Sequence, residues 1–340
     1  MSHNVPDSSE SVLVRSLKDW QPGSARLSRR VDPWPAAAFA GLIGTPVPPL
    51  ETGDPLPPMW HWFTLLEHPA QAELGADGHP ARGPFLPPIP GRRRMWAGGR
   101  LHLAAPIPVG AQLSARSTVA AVSVKSGRRG QLAFVTVRHE LSVDGAPAGV
   151  EEQDIVYRSE SDQPAPHRKT PESPEPPAAP GTPATPQPPE TLSAPAASQP
   201  PEDPGAPAAP QPPGNPGALA APGPSGAWRA ELATDPVLLF RFSALTYNGH
   251  RIHYDRPYAT RVEGYPDLVV HGPLLALLAL ELPRLHAPGG TVRSFGYRLA
   301  RPAFVPAIMV SEARPEGATV ELTVAANGAP PSLTATATLD

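Results

Sequence analysis

The chain has 340 residues, enough for about two domains, and carries a net charge of −3. That balance leaves no basic footprint for nucleic acid. Cysteine is absent, which excludes disulfides, thiolate metal sites, iron–sulfur clusters and a cysteine nucleophile, and fits a reducing compartment.

The opening stretch, MSHNVPDSSESVLVRSLKDW, holds acidic residues and no apolar run of the kind a secretory signal needs. The longest apolar run, Leu274–Leu280 continued to Leu282, is shorter than the ~20 residues that span a bilayer. A cytoplasmic protein without a membrane segment is therefore expected.

The first half, from about Val12 to Arg158, begins with a proline-punctuated region around Trp34, Trp60 and Trp62. Strand-like segments follow at Met95–Leu103, Gln112–Val124, Gln131–Val143 and Val150–Tyr157. Gly127-Arg128-Arg129-Gly130 and Asp144-Gly145 fall at the breaks, as turns of a meander would. Alternation is clearest from Phe134 to Leu141, so one sheet face is expected to be covered.

Prolines number 52 and concentrate between Gln163 and Pro224, where Leu192 and Leu219 are nearly the only large apolar residues. Such a segment cannot offset its ordering entropy and is expected to be a disordered spacer with polyproline II character. The second half, from about Trp228, repeats the order of parts. An apolar lead-in (Val237–Phe242) and a polar motif precede a helix at Pro273–Leu285. Strands then fall near Val292–Leu299, Ala307–Ala313, Thr319–Ala325 and Leu333–Leu339, with turns at Gly317 and Asn327-Gly328. Strand runs beside a segregated helix predict an α+β fold, duplicated in layout, whose sheets pair edge to edge.

The motif reads FSALTYNGHRIHYDRPYATRVEGYPDLVVHG over residues 242–272. His253-Tyr254-Asp255-Arg256-Pro257-Tyr258-Ala259 followed by Val270-His271-Gly272 resembles the site of the MaoC-like hot-dog hydratases and dehydratases. The family pattern there is H-x-D-x-x-Y-A, then a helix opening with His-Gly. The wider string resembles the branch of mesaconyl-CoA and itaconyl-CoA hydratases and type 2 3-hydroxyacyl-thioester dehydratases. Gly83-Pro84-Phe85-Leu86-Pro87-Pro88 and Arg93-Arg94-Met95-Trp96-Ala97-Gly98-Gly99 resemble that branch's degenerate N-terminal hot dog.

The resemblance implies a double hot-dog, two antiparallel sheets each wrapped on a central helix and joined by the proline-rich linker. The implied order is a tail (1–11), an N-terminal domain (12–158), the linker (159–227) and a catalytic domain (228–340). It also implies addition or removal of water across the α,β double bond of an acyl thioester. No cofactor is expected beyond coenzyme A or acyl carrier protein as the substrate's handle. A mesaconyl- or itaconyl-type CoA ester is the favoured substrate, a plain 3-hydroxyacyl thioester its rival. A non-catalytic thioester-binding module is the alternative of another class. The small-molecule thioester is the expected partner, and a homodimer is compatible.

Within that reading His253 is the base, able to work near neutrality. Asn248 stands where the general family has Asp; its amide can orient water or merely shape the loop. Gly272 at the helix start is the source of N–H donors to the thioester carbonyl, or a packing glycine. His250 and His271 are supporting candidates, and Asp255 is read as the cap of a short helix at Pro257–Thr260. Trp96, Arg251 and Tyr247 are placed in substrate binding, with Arg251, Arg256, Arg261 and Arg298 considered for coenzyme A phosphates. His250, His253 and His271 offer histidine ligands for a metal, but no HExxH context accompanies them and no metal is expected. The N-terminal half is expected to lack proton-handling residues and to complete the acyl pocket.

Overall fold

The computed structural model describes residues 11–89, 91–127, 130–159 and 227–340, which belong to one unit. The stretch expected to be a disordered linker, and the tip Arg128-Arg129, lie outside the described residues.

The N-terminal half contributes β1 (Ser24–Arg30), β2 (Arg92–Leu103), β3 (Gln112–Gly127), β4 (Gly130–Val143) and β5 (Ala146–Ser159). The C-terminal half contributes β6 (Trp228–Thr234), β7 (Val292–Leu299), β8 (Ala307–Glu316), β9 (Thr319–Ala326) and β10 (Leu333–Leu339). They form one antiparallel sheet in the order β1-β3-β4-β5-β2-β7-β10-β9-β8-β6. The β4–β5 turn uses Asp144 (φ 49°) and Gly145 (φ 85°), both left-handed, as a tight two-residue hairpin requires.

The two expected sheets are thus one continuous ladder. Strand β2 pairs with β7, with Gly98 opposite Arg298 and Leu101 opposite Phe295. Glycine is needed at this seam because the backbones crowd it. A Cβ on Gly98 would lie 2.4 Å from the Tyr297 carbonyl oxygen, and one on Gly99 2.6 Å from that of Glu152. A bulge between Trp96 and Gly98 accompanies the join.

Four α-helices are described: α1 (Val12–Lys18), α2 (Pro33–Ile43), α3 (Pro236–Leu245) and α4 (Gly272–His286). Helix α4 is buried at every residue from Leu274 to Pro283 and packs on β6, β7, β8, β9 and β10. A helix buried on all sides, with Glu281 its one buried charge, is central to the fold. Helix α2 was hidden in the proline-rich opening. Asp32 caps it by accepting from the Trp34 N–H at 2.7 Å, Pro33 occupies the first turn, and Gly44 (φ 68°) ends it. Its buried Phe39 meets Phe63 at 4.9 Å and, from α3, Phe242 at 6.3 Å between ring centres. The lead-in at Val237–Phe242 is α3 itself, capped by Asp235. Among the described residues no helix is long and apolar enough to cross a membrane.

Two buried carboxylates anchor the halves. Glu281 of α4 accepts from Thr45 of the N-terminal half at 3.1 Å and from Arg284 at 2.9 Å. Glu151 of β5 accepts from His61 at 2.7 Å, Trp62 at 2.8 Å and Gln153 at 2.6 Å. Burial opposes its charge, but the His61 hydrogen bond and charge hold the Glu151 carboxyl down to about 2. Its folded value lies below its ordinary 4.5, so the associated stability is present above that pH and is lost as pH falls towards 2. His61→Ala strands this buried charge and should cost about 3 kcal/mol or more. An unchanged urea-denaturation midpoint would contradict the assignment.

Candidate active site

The polar motif begins where α3 ends. Tyr247 takes a left-handed conformation (φ 50°) and turns the chain out of the helix. Asn248 then closes the loop: its Oδ1 accepts from the His250 N–H at 3.0 Å, and its own N–H donates to Ser243 at 2.8 Å. The loop-shaping reading of Asn248 is therefore present in the geometry.

His253 follows in a 3-10 turn (Arg251–His253) and is buried. Its Nδ1 lies 2.7 Å from the Val269 carbonyl oxygen. A carbonyl can only accept, so Nδ1 carries the proton and Nε2 is left with a lone pair. Val269 is itself held: its N–H donates to Ile252, Val270 N–H donates to Ala303, and Val305 N–H donates to Leu268. Burial, partly offset by the Val269 hydrogen bond and reinforced by the charge of His79, pushes His253 down to about 4.

The other rings continue from it. His271 stacks on His253 with centres 3.6 Å apart and planes at 18°, and its Nε2 meets the Ser243 hydroxyl at 2.9 Å. Burial, then the charges of His253 and His250, hold His271 well below the usual histidine range. On the other side His250 lies 5.3 Å from His253, edge to face. It too is driven down by burial and by the charges of His79, His253 and Arg94.

The next ring belongs to the other half of the chain. His79 sits 4.0 Å from His250, on a tight loop closed by pairing of Leu74 with Pro80. The N-terminal half, expected to lack proton-handling residues, thus places the titratable side chains of Asp77 and His79 beside the motif. Asp77 Oδ1 accepts from the His79 N–H at 3.0 Å, and Oδ2 lies 3.2 Å from His79 Nδ1. The loop docks through glycine: a Cβ on Gly78 would fall 1.9 Å from the Gly249 carbonyl oxygen. Arg251 fastens the contact, its N–H donating to Asp77 O and its guanidinium to Ala76 O, each at 2.9 Å. The local sequence gives Asp77 and His79 no periodicity or spacing that marks them; their significance is tertiary.

Arg251 also grips Asp255 at 2.7 Å and covers the Tyr258 ring at 4.1 Å, so its guanidinium braces the motif. Asp255 caps as expected, accepting from the Tyr258 N–H at 3.1 Å, though the turn it starts, Tyr258–Val262, is π-helical. Trp96 donates to the Tyr297 hydroxyl at 2.9 Å, and its ring lies 5.4 Å from that of Trp62, which places it at the seam between halves. Tyr247 is exposed against His68. At the head of α4 no side chain caps the helix, so the N–H groups of its first turn stay available; Pro273 offers none. A Cβ on Gly272 would meet Leu299 at 2.6 Å, so tight packing also favours glycine there.

Among the described residues, Asp77, His79 and His250 have donor atoms within 4.8 Å of one another and are the group that could hold a cation. His250, His253 and His271, the set weighed from the sequence, do not converge in this way. Two of those rings are stacked and bonded to Val269 and Ser243.

A sheet in two five-strand halves on a buried central helix, with a histidine row at the helix start, defines a double hot-dog protein of the hydratase and dehydratase class. The sequence model of hydroxyacyl-thioester dehydratase type 2 matches residues 59–192 and 207–305. The mesaconyl-C(4)-CoA hydratase of Chloroflexus aurantiacus is 38% identical over 310 residues, 90% of this chain and 93% of that protein. The chain belongs to the type 2 hydroxyacyl-thioester dehydratase family and is an acyl-thioester hydro-lyase. Two solved structures agree in fold. A MaoC-like dehydratase from Phytophthora capsici has a TM-score of 0.57 at 13% identity, covering 94% of this chain and 96% of that one. A Mycobacterium tuberculosis protein described as a double hot-dog has a TM-score of 0.50 at 16% identity, covering 95% and 98%.

The lowered histidine sets a stability profile. Below its ordinary value of 6.5 an unfolded His253 takes up a proton, whereas the folded one does not until about pH 4. The unfolded state binds more protons in that window, so stability falls as pH drops through it. Urea midpoints should decline from pH 6.5 to 4, and His253→Gln should flatten the decline; parallel profiles would contradict it.

Proposed function

We propose that the chain hydrates the double bond of a dicarboxylic-acid CoA thioester of the mesaconyl-C4-CoA type, with His253 as the base. The observation that carries this is the fixed tautomer of His253, with Nδ1–H on Val269 and Nε2 free, close to an uncapped helix start. Nε2 takes a proton from water as the oxygen adds at Cβ. The π electrons move onto the thioester oxygen, which accepts from the first-turn N–H groups at Gly272 and Leu274. Asn248, with one lone pair of Oδ1 on the His250 N–H, orients the water through its amide group. Coenzyme A, rather than acyl carrier protein, is the handle in this reading, as in the Chloroflexus relative's name.

A dicarboxylyl substrate needs a cation at its acyl end. Arg94 of β2 is the residue we assign, since its charge acts on both Asp77 and His250.

Loss or gain of enoyl-thioester absorbance with mesaconyl-C4-CoA and crotonyl-CoA tests the reading. Turnover of the former in preference to the latter is expected; thioester binding without turnover of either would favour a non-catalytic module. His253→Ala should lower kcat by ~100-fold or more, and Asn248→Ala by less. Arg94→Gln should raise KM for mesaconyl-C4-CoA by about 10-fold, the effect of one charged hydrogen bond, and change KM for crotonyl-CoA far less. Equal effects on both substrates would remove Arg94 from acyl recognition.

A further inference from the structure

We infer that Ser243 and His271 are a positioning pair for the hydration: the Ser243 hydroxyl holds the His271 ring, and that ring holds His253 and the first turn of α4 in place. The inference rests on the hydratase reading above and adds what aligns its base with its oxyanion donors.

The base and the N–H donors of that reading lie on separate segments. His253 belongs to the motif loop, whereas Gly272 opens α4. Both must face one substrate, since a misplacement of about 1 Å can cost ~100-fold in rate. His271 is where the two segments meet. It directly precedes Gly272, so the position of its backbone sets where the first N–H groups of α4 point. Its side chain lies flat on His253, with ring centres 3.6 Å apart and planes at 18°. The Phe242 ring of α3 meets it edge to face at 4.8 Å.

A single polar contact orients this wholly buried ring. Nε2 lies 2.9 Å from the Ser243 hydroxyl, which is itself buried. Nδ1 is buried too and has no hydrogen-bond partner among the described residues. A buried polar atom left unpaired is costly. An apolar ring would fill the same space and stack on His253 without that cost. What the histidine adds over such a ring is the bond to Ser243, so packing alone does not account for it.

Ser243 has a second hold on the site. Its backbone carbonyl accepts from the Asn248 N–H at 2.8 Å. One residue near the end of α3 therefore fixes the Asn248 loop through its backbone and His271 through its side chain. The water-orienting amide, the base and the head of α4 are referred to the same point. Neither Ser243 nor His271 needs to touch the reacting atoms to do this.

The test is steady-state kinetics of the full chain with the enoyl-CoA that the wild type turns over, with a urea midpoint for each variant. Ser243→Ala removes the hydroxyl and keeps the backbone bond to Asn248. It should lower kcat by ~10-fold or more with KM within about threefold. His271→Phe keeps an aromatic ring against His253 but cannot bond Ser243, and should lower kcat by a similar factor. It also decides the matter if Ser243→Ala does not fold. In the double variant the loss should be no greater than in the more affected single variant, as for two residues acting through one contact. Wild-type kcat in both single variants, with only the urea midpoint lowered, would make the pair a packing contact. That result would overturn the inference and leave the hydratase reading standing. Losses that multiply in the double variant, or a raised KM at unchanged kcat, would overturn it too. A wild type that turns over no enoyl thioester overturns both.

Discussion

The site depends on one buried hydrogen bond, from His253 Nδ1 to the Val269 carbonyl. A histidine with 6% of its surface exposed could settle in either tautomer or seek a charge partner. An acceptor fixed in place removes that freedom, and the acceptor is fixed because its segment is threaded between two others. Ile252 accepts from Val269, and Phe304 bridges to it from the strand side. The motif loop and the approach to α4 are thereby one piece. The same bond keeps the ring flat against His271, whose Nε2 is tied to Ser243 of α3. Helix end, motif loop and helix start meet at two stacked imidazoles.

Burial is what makes those imidazoles useful. Four rings from His79 to His271 lie in contact, and several adjacent charges there would repel in a low-dielectric interior. The structure answers by keeping the inner rings neutral and placing a carboxylate at the outer one. The N-terminal half therefore does more than wall a pocket. It reaches the site by a glycine-on-glycine contact that admits no side chain, and the sheet seam uses glycine for the same reason. With Glu281 drawing on Thr45 across the halves, the relative placement of the two is fixed at several separate points. A constellation that must be held within about half an ångström needs that kind of support.

Much of the architecture was legible in the sequence. Alternation located β2 to β5, and a largely apolar run located α4 to within a residue at each end. The strands not expected, β1 and β6, are the two short edges of the sheet; β1 is largely polar and mostly exposed, whereas β6 buries Ala230, Leu232 and Thr234 in alternation but spans only seven residues directly after the proline-rich segment. Helix α2 was obscured because its prolines were read as interruptions, although an aspartate before Pro33 and Gly44 after Ile43 are start and stop signals. In the site, His253 and Asp255 were marked by local spacing. Asp77 and His79 were not, since nothing in a loop of Gly, Ala, Asp and His announces which distant loop it will touch. Arg251 shows the same limit: its contacts with Asp255, Ala76 and the Tyr258 ring are set by the fold and not by the motif's spacing.

The account's central claim is the protonation state of one ring, and nitrogen-15 NMR of imidazole tautomers in the full chain measures it directly. His253 should be neutral at pH 6 with its proton on Nδ1, and should stay so until the pH approaches 4. An imidazolium at pH 6, or a neutral ring protonated on Nε2, would contradict it.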